Sequence, residues 1–230
     1  MVIMIKTPPE TDALRIDHRP ATLREMALER IRNAIIEGTF EPGERLVERQ
    51  LCDRLGVSRS VIREVIRHLE SEGLVESIPN QGPRVRNIDR ESARQIYEIR
   101  SLLEGAAAAA CAKAATSQTV ASLNDALEEL AVAHRAGDPL AALHATTRFY
   151  EIIFRTGGHV IAWELVQRLN SRISRLRAMT LASEGRHKTG MKRMQQIQAA
   201  ISAHDPAAAA EACQLHIAEA AEIAASLLDA

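Results

Sequence analysis

Hydrophobic positions recur at helical spacing along almost the whole chain, interrupted by one short interval with a strand-like pattern. From Thr22 onward, Leu23, Met26, Ala27, Ile31, Ala34 and Ile35 fall on one face and Gly38 stops the run, which predicts a first helix. Phe40-Glu41-Pro42-Gly43-Glu44 reads as a turn and Arg45-Leu46-Val47 as a short extended segment. Leu51, Cys52 and Leu55 share the face of a second helix starting near Glu48, and Gly56-Val57 makes a tight turn. Ile62, Val65, Ile66 and Leu69 then form the apolar stripe of a helix over 59–72, which Ser58 or Ser60 can cap and Gly73 ends. Leu74-Val75-Glu76-Ser77-Ile78 and Arg84-Val85-Arg86 flank the turn residues Pro79-Asn80-Gln81-Gly82-Pro83, a strand-turn-strand wing.

Beyond Asp89 the helical pattern is continuous, broken at Thr116-Ser117, Gly137-Asp138-Pro139, Gly157-Gly158, near Gly185 and at Asp205-Pro206. Each Asp-Pro pair reads as an N-cap followed by a first-turn proline. The pattern predicts a mostly α protein: an N-terminal winged helix-turn-helix and a C-terminal antiparallel all-α bundle of about six helices. The expected divisions are a flexible arm over 1–20, a DNA-binding domain over 21–88 and a helical domain over 89–230.

Composition adds that the chain is 46% hydrophobic but only 3% aromatic, an alanine- and leucine-rich balance that favours helix. A net charge of −1 means that a nucleic-acid surface has to come from a local arrangement of arginines. Cys52, Cys111 and Cys213 lie far apart without CxxC spacing, so no disulfide framework or zinc ribbon is expected. The opening Met1-Val2-Ile3-Met4-Ile5-Lys6 is too short for a signal-peptide core and the Ala-rich run from Gly105 to Ala115 is too short to span a bilayer, so a cytoplasmic location without membrane attachment is expected. No G-x-S-x-G, H-E-x-x-H, Walker or Rossmann fingerprint occurs, which argues against an enzyme.

The chemistry concentrates on the helix over 59–72. Reading base edges in the major groove requires a slim helix with hydrogen-bond donors near its N-terminus and an apolar back. Arg59 and Arg63 can fork onto guanine or clamp phosphate, Ser58 and Ser60 are short donors, and Arg49 on the preceding helix is within reach. Arg67, deeper along the helix, suits a phosphate contact or a salt bridge. The wing tip with Gln81 and Gly82 is small enough to approach the minor groove. The bland alternative is a solvated cationic face, with Glu64 and Glu70 as partners.

Ile35-Ile36-Glu37-Gly38, Pro42-Gly43-Glu44-Arg45-Leu46, Leu55-Gly56-Val57-Ser58-Arg59-Ser60, Ile62-Arg63-Glu64 and Leu69-Glu70-Ser71-Glu72-Gly73-Leu74-Val75 resemble the GntR family DNA-binding domain. Arg100-Ser101-Leu102-Leu103-Glu104, the segment 149–158 and the segment 200–216 resemble the FadR-like branch with its FCD effector domain. The resemblance implies a homodimer on a near-palindromic DNA operator whose affinity is altered by a small effector, with repressor as the expected sign. It also implies DNA contacts from Arg49, Arg59, Arg63, Gln81 and Gly82. Gln81 stands where relatives commonly carry an arginine.

Many domains of that type hold a divalent metal with one Asp and three His. The corresponding positions here are Thr146, Tyr150, Met194 and His216, of which only the last keeps a ligand, so no tightly bound metal is expected. The same four residues are expected to line an organic effector site, with Arg100 neutralising a carboxylate or else pairing with Glu104 one turn on. His216 also fits a core stripe with Cys213, Ile217 and Ala220. Arg168, Arg172, Arg175 and Arg177 form a cationic stretch, solvated unless Arg172 or Arg175 faces the cavity; Arg172 is the candidate there. The competing function is a constitutive DNA-binding dimer whose helical domain only oligomerises.

Overall fold

The computed structural model describes residues 22–181 and 186–229. The arm expected over 1–20 and the loop expected near Gly185 lie outside the described residues.

Helix α1 (Leu23–Ile36) begins at a reciprocal capping box, Thr22 accepting from the Glu25 amide while the Glu25 carboxylate accepts from the Thr22 amide. It buries Ala27, Leu28, Ile31, Ile35 and Ile36. The segment Arg45-Leu46-Val47 is less regular than expected: Arg45 makes one isolated antiparallel bridge, to Arg84, and only the Leu46 side chain enters the core. Helix α2 (Glu48–Leu55) ends at Gly56, whose φ of 66° puts it in the left-handed region that lets the chain turn at once into α3 (Arg59–Glu72). Ser58 caps α3 by accepting from the Val61 amide at 3.4 Å. Strands β1 (Val75–Ile78) and β2 (Gly82–Val85) pair antiparallel from Val75 opposite Val85 to Ile78 opposite Gly82. Ile62, Val65 and Leu69, each fully buried, hold α3 against α1 and the wing. Each contributes about 1.5–3 kcal/mol by removal from water.

Six helices follow among the described residues: α4 (Arg90–Ala114), α5 (Ser117–Ala136), α6 (Pro139–Thr156), α7 (Val160–Leu181), α8 (Arg186–Ser202) and α9 (Pro206–Leu228). Asp138 and Asp205 accept from the backbone amides of Ala141 and Ala208, with proline at the first helical turn in both cases. Small residues on α4, Ala107, Ala108, Cys111 and Ala112, are buried and let neighbouring helices approach. At Gly157 the approach is closest, since a Cβ there would stand 2.9 Å from the Ala107 carbonyl oxygen and 3.0 Å from the Cys111 nitrogen. The bundle has its own hydrophobic core, separate from that of the first three helices and the wing.

Candidate DNA-binding surface and buried cavity

The exposed side of α3 gathers the residues that the sequence singled out. Ser58, Arg59, Ser60, Arg63 and Arg67 are all exposed, clear of the buried stripe of Ile62, Val65, Ile66 and Leu69, and Arg49 is exposed on α2. The Ser58 and Ser60 hydroxyls lie 2.8 Å apart at the helix start, where free backbone amides add positive partial charge. Arg63 is not wholly free: its Nε lies 3.1 Å from both carboxylate oxygens of Glu48 on α2. At the wing tip Asn80 and Gly82 have φ of 63° and 83°, and the exposed Gln81 side chain accepts from Arg84 at 2.8 Å. The Gln81 amide is therefore already engaged within the wing.

The bundle encloses a small cavity of about 40 Å³. Arg100, His134, Thr146, Arg177, Thr180 and His216 supply its polar lining, and Leu130, Met191, Met194 and Ala220 are among its apolar walls. Arg100 reaches Glu104 through two hydrogen bonds, of 2.8 and 3.3 Å, with both side chains essentially inaccessible. Its guanidinium also stands 5.4 Å from the Tyr97 ring centroid. The salt bridge and the cavity position thus coexist in one residue. Arg177, 9% exposed, lies 5.3 Å over the Tyr150 ring, and its hydrogen bond to the Thr147 hydroxyl is long at 3.5 Å. Burial, reinforced by the charge of Arg100, pulls the Arg177 guanidinium down to about 10. Burial raises the Tyr150 phenol well above its ordinary value and so keeps it protonated.

Arg172 takes a different position from the one expected. It projects to the C-terminal end of α3, where its Nε donates to the Glu72 carbonyl oxygen at 3.3 Å and its guanidinium packs over Gly73, so it does not line the cavity. Arg175 likewise donates to the Arg86 carbonyl oxygen, at the end of the wing. Around Glu72 this contact becomes a polar cluster. Arg32 of α1 donates to its carboxylate at 2.9 and 2.5 Å, Ser171 of α7 donates at 2.5 Å, and His68 Nε2 lies at 3.2 Å. Burial by itself raises the Glu72 carboxyl, but Arg32 and Ser171 outweigh it and hold the group below the usual carboxylate range. Helix α7 consequently touches α3 at Ser171 and Arg172 and the cavity at Arg177 and Thr180.

Of the residues expected in the effector site, the structure brings Arg100, Thr146, Met194 and His216 together on the cavity wall, with Tyr150 packed beneath Arg177. Sequence reasoning missed Arg177, His134 and Thr180. The four positions corresponding to the family's metal ligands offer one imidazole, a hydroxyl that donates to the Ala142 carbonyl at 2.8 Å, a protonated phenol and a thioether. No cluster of three or more His, Cys, Asp or Glu suited to a metal occurs among the described residues. Such a donor set does not fit a divalent metal, which calls for several imidazole, thiolate or carboxylate groups.

Residues 23–85 match the family model of bacterial regulatory proteins of the gntR family, and residues 95–219 match the FCD domain. The chain belongs to the GntR family of DNA-binding transcriptional regulators, in its FCD-containing form. Among curated GntR-type relatives, it is 29% identical to the HTH-type transcriptional regulator YdhC of Bacillus subtilis strain 168, over 73% of this chain and 75% of that one. It is also 29% identical to the HTH-type transcriptional regulator McbR of Escherichia coli K12, over 57% of this chain and 60% of that one. The solved structure of E. coli McbR/YncC superposes with a TM-score of 0.71 at 23% identity, covering 91% of this chain and 98% of the other. A crystal structure assigned to GntR from Rhodococcus sp. RHA1 gives a TM-score of 0.74 at 22% identity, over 88% and 97% of the two chains. These superpositions establish a shared fold. The GntR-family relatives are regulators and not enzymes. No described helix is long and apolar enough to cross a membrane.

Proposed function

We propose that this GntR regulator is a homodimeric repressor whose affinity for operator DNA changes when a small organic effector enters the cavity of the FCD domain. The observation that carries this reading is the double engagement of α7, which lines the cavity with Arg177 and Thr180 and grips the end of the recognition helix through Ser171 and Arg172. A ligand that shifts α7 by a fraction of a helical turn has a direct mechanical route to α3, and only a difference in affinity between the two arrangements is needed to shift the population. In the dimer, Ile99 and Leu102 of α4 with Ile161 and Leu165 of α7, large apolar residues left exposed in one chain, supply the contact between copies. On DNA, Arg49, Ser58, Arg59, Ser60 and Arg63 face the major groove and the backbone, and Gln81 and Gly82 position the wing. The cavity works without a metal, in keeping with its donor set.

The same exposed apolar residues favour a second reading, in which the helical domain only oligomerises and DNA binding is constitutive. Operator affinity of the full-length protein, measured by fluorescence anisotropy on fragments selected from genomic DNA, separates the two. The effector reading predicts that at least one compound in a broad metabolite panel changes the affinity severalfold. Constant affinity and constant melting temperature across the panel support the oligomerisation reading instead.

A further inference from the structure

The wing tip is a fixed turn. The Ile78 carbonyl oxygen accepts from the Gln81 backbone amide at 3.0 Å, with Pro79 second in the turn and Asn80 third at a φ of 63°, the pattern of a type II turn. The Gln81 side chain, exposed at that tip, is held by Arg84 of β2, whose Nη2 donates to its Oε1 at 2.8 Å while Nη1 reaches the Gly43 carbonyl oxygen at 3.4 Å. Arg84 is half-buried and lies opposite Glu76 in the strand pairing, so the sheet itself carries this anchor. An arginine carries donors only, and Gln81 can therefore meet it with nothing but its oxygen. The NH2 group is left on the opposite side of the amide, at the exposed tip. Beside it the exposed Arg45 runs along Gly82, where a Cβ would stand 3.8 Å from its Nε and Nη2.

We infer that Arg84 turns Gln81 into a donor-only probe, so that the wing selects A·T and T·A over G·C base pairs in the minor groove of the operator. This rests on the reading of the wing as a DNA contact and names what that contact recognises. In the minor groove A·T and T·A pairs display only the acceptors adenine N3 and thymine O2, whereas a G·C pair adds the guanine N2 amino group, a donor. An unheld glutamine amide meets either kind, because it rotates to offer its oxygen or its NH2. With the oxygen held by Arg84, rotation sacrifices that hydrogen bond, and over G·C the NH2 group faces a like donor. A·T and T·A stay indistinguishable, because both show acceptors alone. Arg45 works in the same direction, since the narrow minor groove of A·T-rich DNA has the stronger negative potential. Gln81 is thus the residue that meets the base pair, and Arg84 is a positioning residue that acts through it.

The test is fluorescence anisotropy of the full-length protein on a selected operator whose wing-covered base pairs, located by minor-groove footprinting, are set to A·T, G·C or inosine·C. Inosine keeps the major-groove edge of guanine and lacks its N2 amino group. The wild type is expected to bind the A·T and inosine·C fragments alike and the G·C fragment about fivefold or more weakly. Gln81→Ala is expected to bring the three affinities together. Arg84→Met frees the amide and is expected to bring G·C to within about twofold of A·T, whereas Arg84→Lys, which still offers a donor to the oxygen, keeps part of the preference. Where Arg84→Met fails to fold, Gln81→Glu places an acceptor at the tip and is expected to lose the preference for A·T. The inference is overturned if the wild type binds G·C as well as A·T, if inosine·C behaves as G·C, or if the preference survives in Gln81→Ala or Gln81→Glu and so belongs to groove shape. An Arg84→Met protein that weakens on all three fragments in the same ratio removes Arg84 from the positioning role and overturns it as well. Absence of minor-groove protection beside the recognition helix is the separate failure of the wing contact itself.

Discussion

At the scale of single residues, the two N-terminal arginines of the recognition helix differ in a way that their spacing does not reveal. Arg59 and Arg63 sit one turn apart on the same exposed face, but Arg63 is held by Glu48 from the preceding helix. This pair is exposed and worth little to stability, so on the proposed reading its effect falls on DNA binding: an Arg63 that contacts a phosphate or a base first gives up a carboxylate. Glu48→Gln is expected to strengthen binding to specific and random DNA alike, by a few-fold at low salt, in filter-binding or anisotropy titrations. Unchanged affinity would mean that Arg63 does not contact DNA. The partnership was not legible from helical periodicity, since Glu48 and Arg63 belong to different helices whose crossing sets the contact. The arginines of α7 carry the same lesson. Arg172, Arg175 and Arg177 point in different directions from one helix, and spacing alone does not say which direction meets a cavity and which a neighbouring domain.

At the scale of elements, the boundaries were legible because they are written in chemistry that acts locally. Thr22 with Glu25, Ser58, Asp138-Pro139 and Asp205-Pro206 start helices at the expected places, and Gly56 and Gly73 end them in left-handed conformations. The close passage of Gly157 against α4 was read only as a break between helices, because a packing requirement leaves no periodic trace. Gly157 has an ordinary negative φ of −72°, so its role is space, not backbone freedom. Gly157→Ala would force a methyl against the backbone at Ala107 and Cys111, and a loss of about 1–3 kcal/mol in stability is expected in chemical denaturation. A change within about 0.5 kcal/mol would show that α4 and α6 separate freely.

At the scale of the whole molecule, the cluster around Glu72 ties the two halves together. The Glu72 carboxyl is held below its ordinary value, so the stability that it contributes is present above the ordinary carboxylate range and is lost as pH falls through the folded-state value. Limited proteolysis or hydrogen exchange should therefore show the contact between α7 and the recognition helix loosening in acid. Glu72→Gln should be loosened already at neutral pH, with less further change on acidification. Equal acid sensitivity in the two proteins would remove Glu72 from that role. This cluster was not foreseen, because Glu72 and Ser171 are remote in sequence and only the docking of the domains brings them together.

The central claim is that the exposed edge of α3 reads operator DNA, and Arg59 tests it most directly, since it has the helix N-terminus at its back and no Glu48 to hold it. Affinity of the wild type and of Arg59→Ala for a selected operator and for random DNA of equal length, at one salt concentration, is the decisive measurement. The account predicts a loss of about 1–3 kcal/mol on the operator, roughly fivefold to more than a hundredfold, with a smaller loss on random DNA. Undiminished operator affinity in a folded Arg59→Ala protein would contradict it.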